Sequence, residues 1–413
     1  MTGPDSSKGF LRRYAPMIYG PSALFSMGEG AVVPVIPLIA IELGASLATA
    51  ALAAAALVVG HLVGNLPAGW LVARRGERAT MVISGSLASL GVLGMALSPS
   101  LALFMLAVFW VGVCAAAFSI ARHAFMTTNV PVTHRARALS MLGGVYRFGV
   151  FVGPFIGAAA ISLLGTNRAV CWWFLVALAA TVLLVALGPD PEGRPLAAAG
   201  PGVPSAPAQR LEADRLGVFR TIADHREVLT RLGSAAACMA AVRAARQVVL
   251  PLWGESIGLQ SSTILVVVGV SGALDFGLFY LSGEVMDRYG RLWAAVPALI
   301  TMGVGFAVLS ITHDAGGAAT WFTACSMLVG VGNGLSSGIL MTIGADLAPQ
   351  GSPGPFLGAW HTITDGGSAA TPVLFSALVA ASSISVATGA IGLIALAGVL
   401  GFMRWVPRYV HGR

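Results

Sequence analysis

Long apolar stretches alternate with short polar segments along nearly the whole chain. A helix needs about 20 predominantly apolar residues to cross a bilayer. Twelve stretches meet this requirement, at 15–41, 47–72, 80–98, 100–122, 139–164, 169–187, 232–254, 262–284, 292–312, 318–342, 356–381 and 384–404. The pattern therefore predicts an all-α integral membrane protein with twelve transmembrane helices.

The composition supports this prediction. Of the 413 residues, 56% are hydrophobic and only 10% are charged, whereas soluble proteins carry about 25% charged residues. A water-soluble enzyme is therefore excluded. The net charge of +7 is compatible with nucleic-acid binding, but the positions of the basic residues favour membrane topology and no nucleic-acid partner.

Basic residues fall almost entirely on one side of the predicted membrane. With a cytoplasmic N-terminus, Arg168 is the one arginine in an outer loop. The cytoplasmic segments hold six arginines between Arg194 and Arg231, and also Lys8, Arg12, Arg13, Arg74, Arg75, Arg78, Arg122, Arg135, Arg137, Arg288, Arg291, Arg404, Arg408 and Arg413. The positive-inside rule then predicts a multi-pass protein of the inner or plasma membrane with both termini in the cytoplasm.

The chain contains an internal repeat. At an offset of 214, Gly69 and Gly76 align with Gly283 and Gly290, and at an offset of 218, Pro154 aligns with Pro372. The repeat predicts two pseudo-symmetric six-helix bundles, in residues 1–188 and 231–413. Residues 189–230 would form a cytoplasmic linker. Its second part has an amphipathic pattern, typical of a helix on the membrane surface or on the protein's own loops.

Two loops carry a family signature. The loops after helices 2 and 8 resemble the G-x-L-x-D-R-x-G-R motif of the major facilitator superfamily, at Gly69, Arg74 and Gly76 and at Gly283, Asp287, Arg288, Gly290 and Arg291. Ala73 stands where the family has Asp. The resemblance implies a cytoplasmic gate in which Asp287 acts on the start of helix 5, near Leu139.

A second motif lies in helix 5. Gly149, Gly153, Pro154 and Gly157 resemble the family's antiporter signature, in which small residues allow close helix packing. The resemblance is strongest to the drug and metabolite efflux branch and implies export by proton antiport. Val108 stands where the drug antiporters of the family carry an arginine.

Seven ionisable residues fall inside predicted spans. Such residues cost at least a few kcal/mol each in a membrane and are functional candidates; they are Glu29, His61, Arg147, Arg243, Arg246, Asp275 and Asp365. The repeat aligns Glu29 with Arg243, His61 with Asp275, and Arg147 with Asp365. In the resembled fold, helix 5 faces helix 8 and helix 2 faces helix 11, which predicts the pairs Arg147–Asp275 and His61–Asp365. They would either switch during transport or remain static ion pairs.

The resemblance also suggests a substrate site. In the family, helices 1, 4, 7 and 10 line the cavity, so Glu29, Arg243, Arg246 and Asn333 are candidates for binding substrate or protons. We expect Arg243 to be the counter-ion of Glu29 in the empty state, or its permanent partner.

Together these features predict a secondary active transporter, acting as a monomer, that exports a small organic or amphiphilic molecule by proton antiport with alternating access. A proton-coupled importer or facilitator of a small organic solute is the alternative. A membrane-embedded enzyme is disfavoured, because neither a metal cluster nor a nucleophile with its base has suitable spacing. No cofactor or metal is expected, and no ATP-binding P-loop is present.

Overall fold

The computed structural model describes residues 19–129, 132–188, 223–349 and 353–409. Twelve helices long and apolar enough to cross a membrane lie within these ranges, which confirms the predicted all-helical membrane fold. They are α1 (Tyr19–Glu42), α2 (Leu47–Arg75), α3 (Glu77–Leu97), α4 (Leu101–Asn129), α5 (Val132–Leu164), α6 (Ala169–Leu187), α7 (Arg226–Ser256), α8 (Ser261–Tyr289), α9 (Arg291–Ile311), α10 (Ala318–Leu347), α11 (Pro353–Ala381) and α12 (Ile384–Tyr409).

Several helices extend past their apolar stretches on the side predicted to be cytoplasmic, here called the inner side. The stretch 100–122 belongs to a helix that continues to Asn129, and the stretch 139–164 to one that begins at Val132. Hydropathy detects only the part of a helix that faces lipid or the core. The helices α2 and α8 end at the repeat-related Gly76 and Gly290, whose φ angles of 79° and 93° favour glycine.

Two spans are interrupted. In α1, residues Val33–Val35 form a short 3-10 turn at Pro34, which cannot donate a backbone hydrogen bond. In α10 the helix stops at Leu335 and restarts at Ile339, with Gly338 at φ 77°. The repeat-related helix α4 runs without a break from Leu101 to Asn129.

The helices pack as two groups of six. In the N-terminal half, α2 and α3 pack against α4, and α3 packs against α6. In the C-terminal half, α7 packs against α11 and α12, and α9 and α10 pack against α12 and α8 respectively. Across the seam between the halves, α5 packs against α8 and α2 against α11, as the resemblance to the family implies.

The seam is closed at its outer end. There Ser376 Oγ donates to the Ala48 carbonyl at 2.7 Å, and the Gly269 backbone packs against the ring of Phe155. Toward the inner end, the backbone of α5 at Gly143 and of α8 at Gly277 has no neighbour within 4 Å of a Cβ position. The two halves therefore meet at the outer side and separate toward the inner side.

The structure describes only residues 223–230 of the predicted linker. Most of residues 189–230, including most of the predicted amphipathic helix, lies outside the described residues. The last of these residues belong to α7, which begins at Arg226.

Candidate functional site

A charge cluster lies at the middle of the C-terminal half, centred on Asp275. Because α8 spans Ser261–Tyr289, Asp275 lies halfway along it, about 21 Å from either end. Asn333 Nδ2 donates to Asp275 Oδ2 at 2.7 Å, and Arg246 Nη2 donates to the same oxygen at 3.4 Å. Two predicted substrate residues, Arg246 and Asn333, thus serve here as partners of Asp275.

The seam pair Arg147–Asp275 is present. Arg147 Nη1 of α5 lies 3.6 Å from Asp275 Oδ1, donates to Ser337 Oγ at 3.0 Å, and its guanidinium lies 4.6 Å from the centre of the Phe279 ring. All three contacts cross the seam. The structure therefore brings together the two residues that the sequence paired, and adds the α10 break to their contacts.

The predicted pair Glu29–Arg243 is not formed. Arg243 Nη1 instead donates to the Ser336 carbonyl at 3.0 Å. At the break in α10 this carbonyl accepts a turn bond from Ile339 N at 3.4 Å in place of an α-helical bond. Ser282 Oγ donates to the Leu335 carbonyl at 2.6 Å and supports the same break. Buried carbonyls without an α-helical partner need such donors. The side chain of Arg243 is therefore bonded to α10 in its own half and not to Glu29.

Glu29 belongs to a separate site in the N-terminal half. Tyr146 Oη donates to Glu29 Oε2 at 3.0 Å, and Glu29 makes no ion pair with any described residue. Tyr146 was not predicted as a site residue. The sequence did offer a signal for Tyr146, since it directly precedes Arg147 in α5. Adjacent residues on a helix point about 100° apart, so the residue next to a seam arginine can reach a different helix.

Arg122 is the residue that the sequence interpretation misplaced most clearly. The distribution of basic residues predicts a cytoplasmic position for it, but α4 continues to Asn129, so Arg122 lies about 10 Å inside the helix. It is 6% exposed, and its Nε is buried with no hydrogen-bond partner in the described part of the chain. The guanidinium lies 5.4 Å from the centre of the Tyr146 ring and acts electrostatically on Glu29.

These residues surround a cavity of about 290 Å³ between α1, α2, α4 and α5. It is lined by Phe25, Glu29, His61, Ala115, Phe118, Ser119, Arg122, His123, Leu142, Gly143 and Tyr146. Phe25 and Phe118 stack with their ring centres 4.5 Å apart. The cavity thus combines an aromatic wall, one guanidinium and one carboxylate.

The pair His61–Asp365 is not formed at ion-pair distance. His361 and His61 act electrostatically on Asp365, but the Asp365 side chain is exposed where α2 and α11 separate toward the inner side. The separation of the halves explains why this pair differs from Arg147–Asp275.

The signature loops take a different arrangement from the expected gate. Asp287 is paired with Arg291 at 3.5 Å and its side chain is 85% exposed, so it does not act on the start of α5, which begins at Val132 and not at Leu139. Arg291 Nε also donates to Asp346 at 2.8 Å. The guanidinium groups of Arg74 and Arg288 lie over the neighbouring rings of Trp70 and Tyr289. Gly69 and Gly283 have no neighbour within 4 Å of a Cβ position, because the seam is open on this side.

The glycine motif of α5 does serve close packing. A Cβ at Gly149 would collide with Ser26, one at Gly153 would meet the α1 backbone near Ala31, and one at Gly157 would lie 2.7 Å from Leu265 of α8. Pro154 lies within the continuous helix α5. The motif therefore packs α5 on α1 and, at its outer end, on the opposite half.

The comparisons with known proteins decide the family. The sequence profile of the Major Facilitator Superfamily matches residues 22–372. The chain belongs to the major facilitator superfamily. Membership makes it a multi-pass membrane transport protein and not an enzyme. The efflux branch is not distinguished by this match.

One curated relative of this superfamily member is a gallate transporter from Pseudomonas putida. The two sequences are 31% identical over 147 residues, which cover 35% of this chain and 33% of the relative. The match thus spans about a third of the relative's length.

Solved structures share the superfamily fold with this chain. An auto-inhibited peptide transporter of the POT family has a TM-score of 0.74 at 15% identity, covering 97% of this chain and 98% of its own. A POT family transporter in complex with 5-aminolevulinic acid has a TM-score of 0.74 at 10% identity, with 96% of both chains covered. The xylose transporter XylE from E. coli, in a partially occluded inward-open conformation, has a TM-score of 0.65 at 15% identity, covering 96% of this chain and 100% of its own. At these identities the likeness concerns the fold alone.

Proposed function

We propose that the protein is a proton-coupled secondary transporter that carries a small organic anion by alternating access. The observation that carries the substrate class is the charge balance at bilayer depth. Arg122, Arg147, Arg243 and Arg246 outnumber the carboxylates Glu29 and Asp275 by two, and by one if the exposed Asp365 is counted. In a region of low dielectric, a net positive charge attracts an anion and repels a cation.

The gallate transporter supports the same class, because gallate is a carboxylate. Cationic drugs, which the resemblance to efflux transporters left open, fit this charge balance poorly.

Glu29 is the proposed proton-binding residue. Its carboxylate lines the cavity with Tyr146, Arg122, His61 and His123 and has no cationic partner at ion-pair distance among the described residues. When Glu29 is protonated, the charge of Arg122 is uncompensated and free to attract a substrate anion. When Glu29 is ionised, it competes with that anion. Proton and anion therefore favour each other's binding, which is the linkage that symport requires.

Export by proton antiport, the function predicted from sequence, requires the opposite linkage between proton and substrate. We therefore prefer proton symport of an organic anion, the importer alternative, to antiport. The glycine motif of α5 gives no preference, because its observed contacts with α1 and Leu265 explain it by packing.

The seam contacts supply the alternating-access element. Arg147 reaches Asp275 and Ser337 across the seam, so these contacts must change if the outer end opens. Arg246 Nη1 and Asp275 Oδ1 are buried without a hydrogen-bond partner in the described residues. A cluster left incompletely bonded in one state favours rearrangement in another.

We propose that the protein acts as a monomer in the cell membrane with the inner side in the cytoplasm. The orientation is supported by the arginine content of the inner ends of the helices, with Arg74 and Arg75 in α2, Arg288 in α8, and Arg404 and Arg408 in α12. Labelling single cysteines introduced at Arg75 and at Thr166 in intact cells tests the orientation. Only the second should react with an impermeant reagent, and the reverse result would contradict it.

Transport assays in proteoliposomes test the function. A panel of organic acids and of cationic dyes is offered under an imposed pH gradient, with the wild type, Glu29→Gln and the exposed control Glu227→Gln. We expect acid accumulation when the substrate side is acidic, loss of gradient-driven accumulation in Glu29→Gln with substrate exchange retained, and native behaviour of the control. Accumulation driven by the opposite gradient would indicate antiport. Transport of cations but not acids would overturn the substrate class, and native gradient-driven transport by Glu29→Gln would overturn its role.

A further inference from the structure

We propose that the cavity in the N-terminal half binds a single-ring aromatic carboxylate, with the guanidinium of Arg122 as the carboxylate-binding group and Phe25 and Phe118 as the wall that contacts the ring. This inference rests on the proposed function, since it names the substrate class and the residues of the anion site.

The choice among the four arginines follows from their partners. Arg147 and Arg246 pair with Asp275, and Arg243 donates to the Ser336 carbonyl. Arg246 Nη1 is also buried without a hydrogen-bond partner in the described residues, but none of these three arginines lines the cavity. Arg122 has no carboxylate or carbonyl partner in the described residues, although it is only 6% exposed and its Nε is buried. A buried polar group without a partner is costly, and Arg122 lines the cavity directly. A carboxylate in the cavity would pair with its guanidinium, and such pairs favour two-point hydrogen bonding.

The aromatic wall points to a ring. Phe25 and Phe118 stack with an interplanar angle of 11°, and Phe25 and Phe174 form a T-shaped pair with ring centres 5.9 Å apart, which supports the position of Phe25. Tyr146 adds a second aromatic face next to Arg122. Aromatic pairs contribute beyond their buried area, so this wall favours an aromatic ring over an alicyclic ring of similar size.

The volume sets the number of rings. A cavity of about 150 Å³ holds benzene, and this cavity measures about 290 Å³. It therefore accommodates one ring with a carboxylate and a few hydroxyl groups. Glu29 and Tyr146, together with His61 and His123, supply polar groups around the ring.

Binding measurements on the purified full-length protein test the site. Isothermal titration calorimetry compares 3,4,5-trihydroxybenzoate with cyclohexanecarboxylate, for the wild type, Arg122→Gln, Arg122→Lys, Phe118→Leu and the exposed control Arg75→Gln. We expect Arg122→Gln to weaken binding of both acids about ten- to a hundredfold, with a smaller loss in Arg122→Lys. Phe118→Leu should weaken the aromatic acid about two- to tenfold and the alicyclic acid less. Arg75→Gln should bind as the wild type does.

The outcomes separate this inference from the proposed function. If the wild type binds organic acids but Arg122→Gln binds them equally well, or Phe118→Leu weakens both acids alike, the site assignment is overturned and the proposed function stands. If the wild type neither binds nor transports any organic acid, the proposed function fails and this inference fails with it. Because Phe118→Leu keeps Arg122 and its charge, it remains informative even if Arg122→Gln does not fold.

Discussion

Both halves hold charged residues within their membrane spans but use them differently. In the C-terminal half, Asp275 contacts Asn333, Arg246 and Arg147, although Arg246 Nη1 has no hydrogen-bond partner in the described residues. In the N-terminal half, Glu29 has a neutral partner in Tyr146, and Arg122 has none. The first arrangement is typical of a structural and switching element, and the second of a site that awaits a ligand or a proton.

The two sites meet at adjacent residues of one helix. Tyr146 reaches Glu29 within its own half, and Arg147 reaches Asp275 in the opposite half. Tyr146, which lines the cavity, is therefore the chain neighbour of Arg147, which contacts the opposite half. This proximity gives a short physical route between ligand binding and movement of the seam.

The largest effect is expected from Asp275→Asn. It leaves Arg147, Arg243 and Arg246 near one another without their carboxylate, and removing one partner of a largely buried ion pair costs about 3 kcal/mol or more. Thermal unfolding in detergent should show a large loss of stability. The control Asp287→Asn, at a side chain 85% exposed, should change stability by less than about 0.5 kcal/mol. Equal unfolding temperatures for Asp275→Asn and the wild type would contradict charge compensation at this site.

Substitutions of Arg147 and Arg246, the two ion-pair partners of Asp275, should affect stability and transport to different degrees. Arg246 lies within the C-terminal half with 11% of its side chain exposed, whereas Arg147 crosses the seam with 25% exposed. We expect Arg246→Gln to cost about 2 kcal/mol of unfolding free energy, and Arg147→Gln to cost less but to change the transport rate more. Unfolding and transport measured on both variants check this order. A larger stability loss in Arg147→Gln would show that the seam contact is chiefly structural.

A smaller effect is expected from Tyr146→Phe. The substitution removes the hydrogen bond to Glu29 and keeps the ring beside Arg122, so the expected cost is about 1 kcal/mol. Gradient-driven transport should fall while substrate exchange persists, because the proton-binding carboxylate is the group disturbed. Tyr280→Phe, at a residue 80% exposed, is the matched control. If both variants transport at the native rate, the hydrogen bond has no role in coupling.

A stability effect of similar size, with no effect on coupling, is expected at the break in α10, which α4 lacks. Gly338 has a φ of 77° and open space around its Cβ position, so Gly338→Ala should cost about 1 kcal/mol through backbone strain alone. Gly358→Ala, at a helical glycine with equally open surroundings, should be neutral or slightly stabilising. Comparison of the two unfolding temperatures checks this, and equal values would mean that the break tolerates a side chain.

Much of the fold was predictable because hydropathy acts locally. The twelve spans, the division into halves and the ionisable residues within the spans follow from residue type and spacing. The pair Arg147–Asp275 was also predictable, since it follows from the family arrangement in which helix 5 faces helix 8. Arg122 was not, because the boundary between apolar and polar residues does not mark the end of a helix that continues to Asn129.

The repeat equates positions but does not determine partners. It aligned Glu29 with Arg243 and suggested that they pair, yet each meets neighbours from its own half, Tyr146 for one and the Ser336 carbonyl for the other. The sequence by itself determined that seven ionisable residues lie within the spans, because the cost of burying a charge belongs to the residue. Only the tertiary structure decided which of them are paired and that Arg122 is not, because pairing depends on the rotation and packing of helices that lie far apart in the chain.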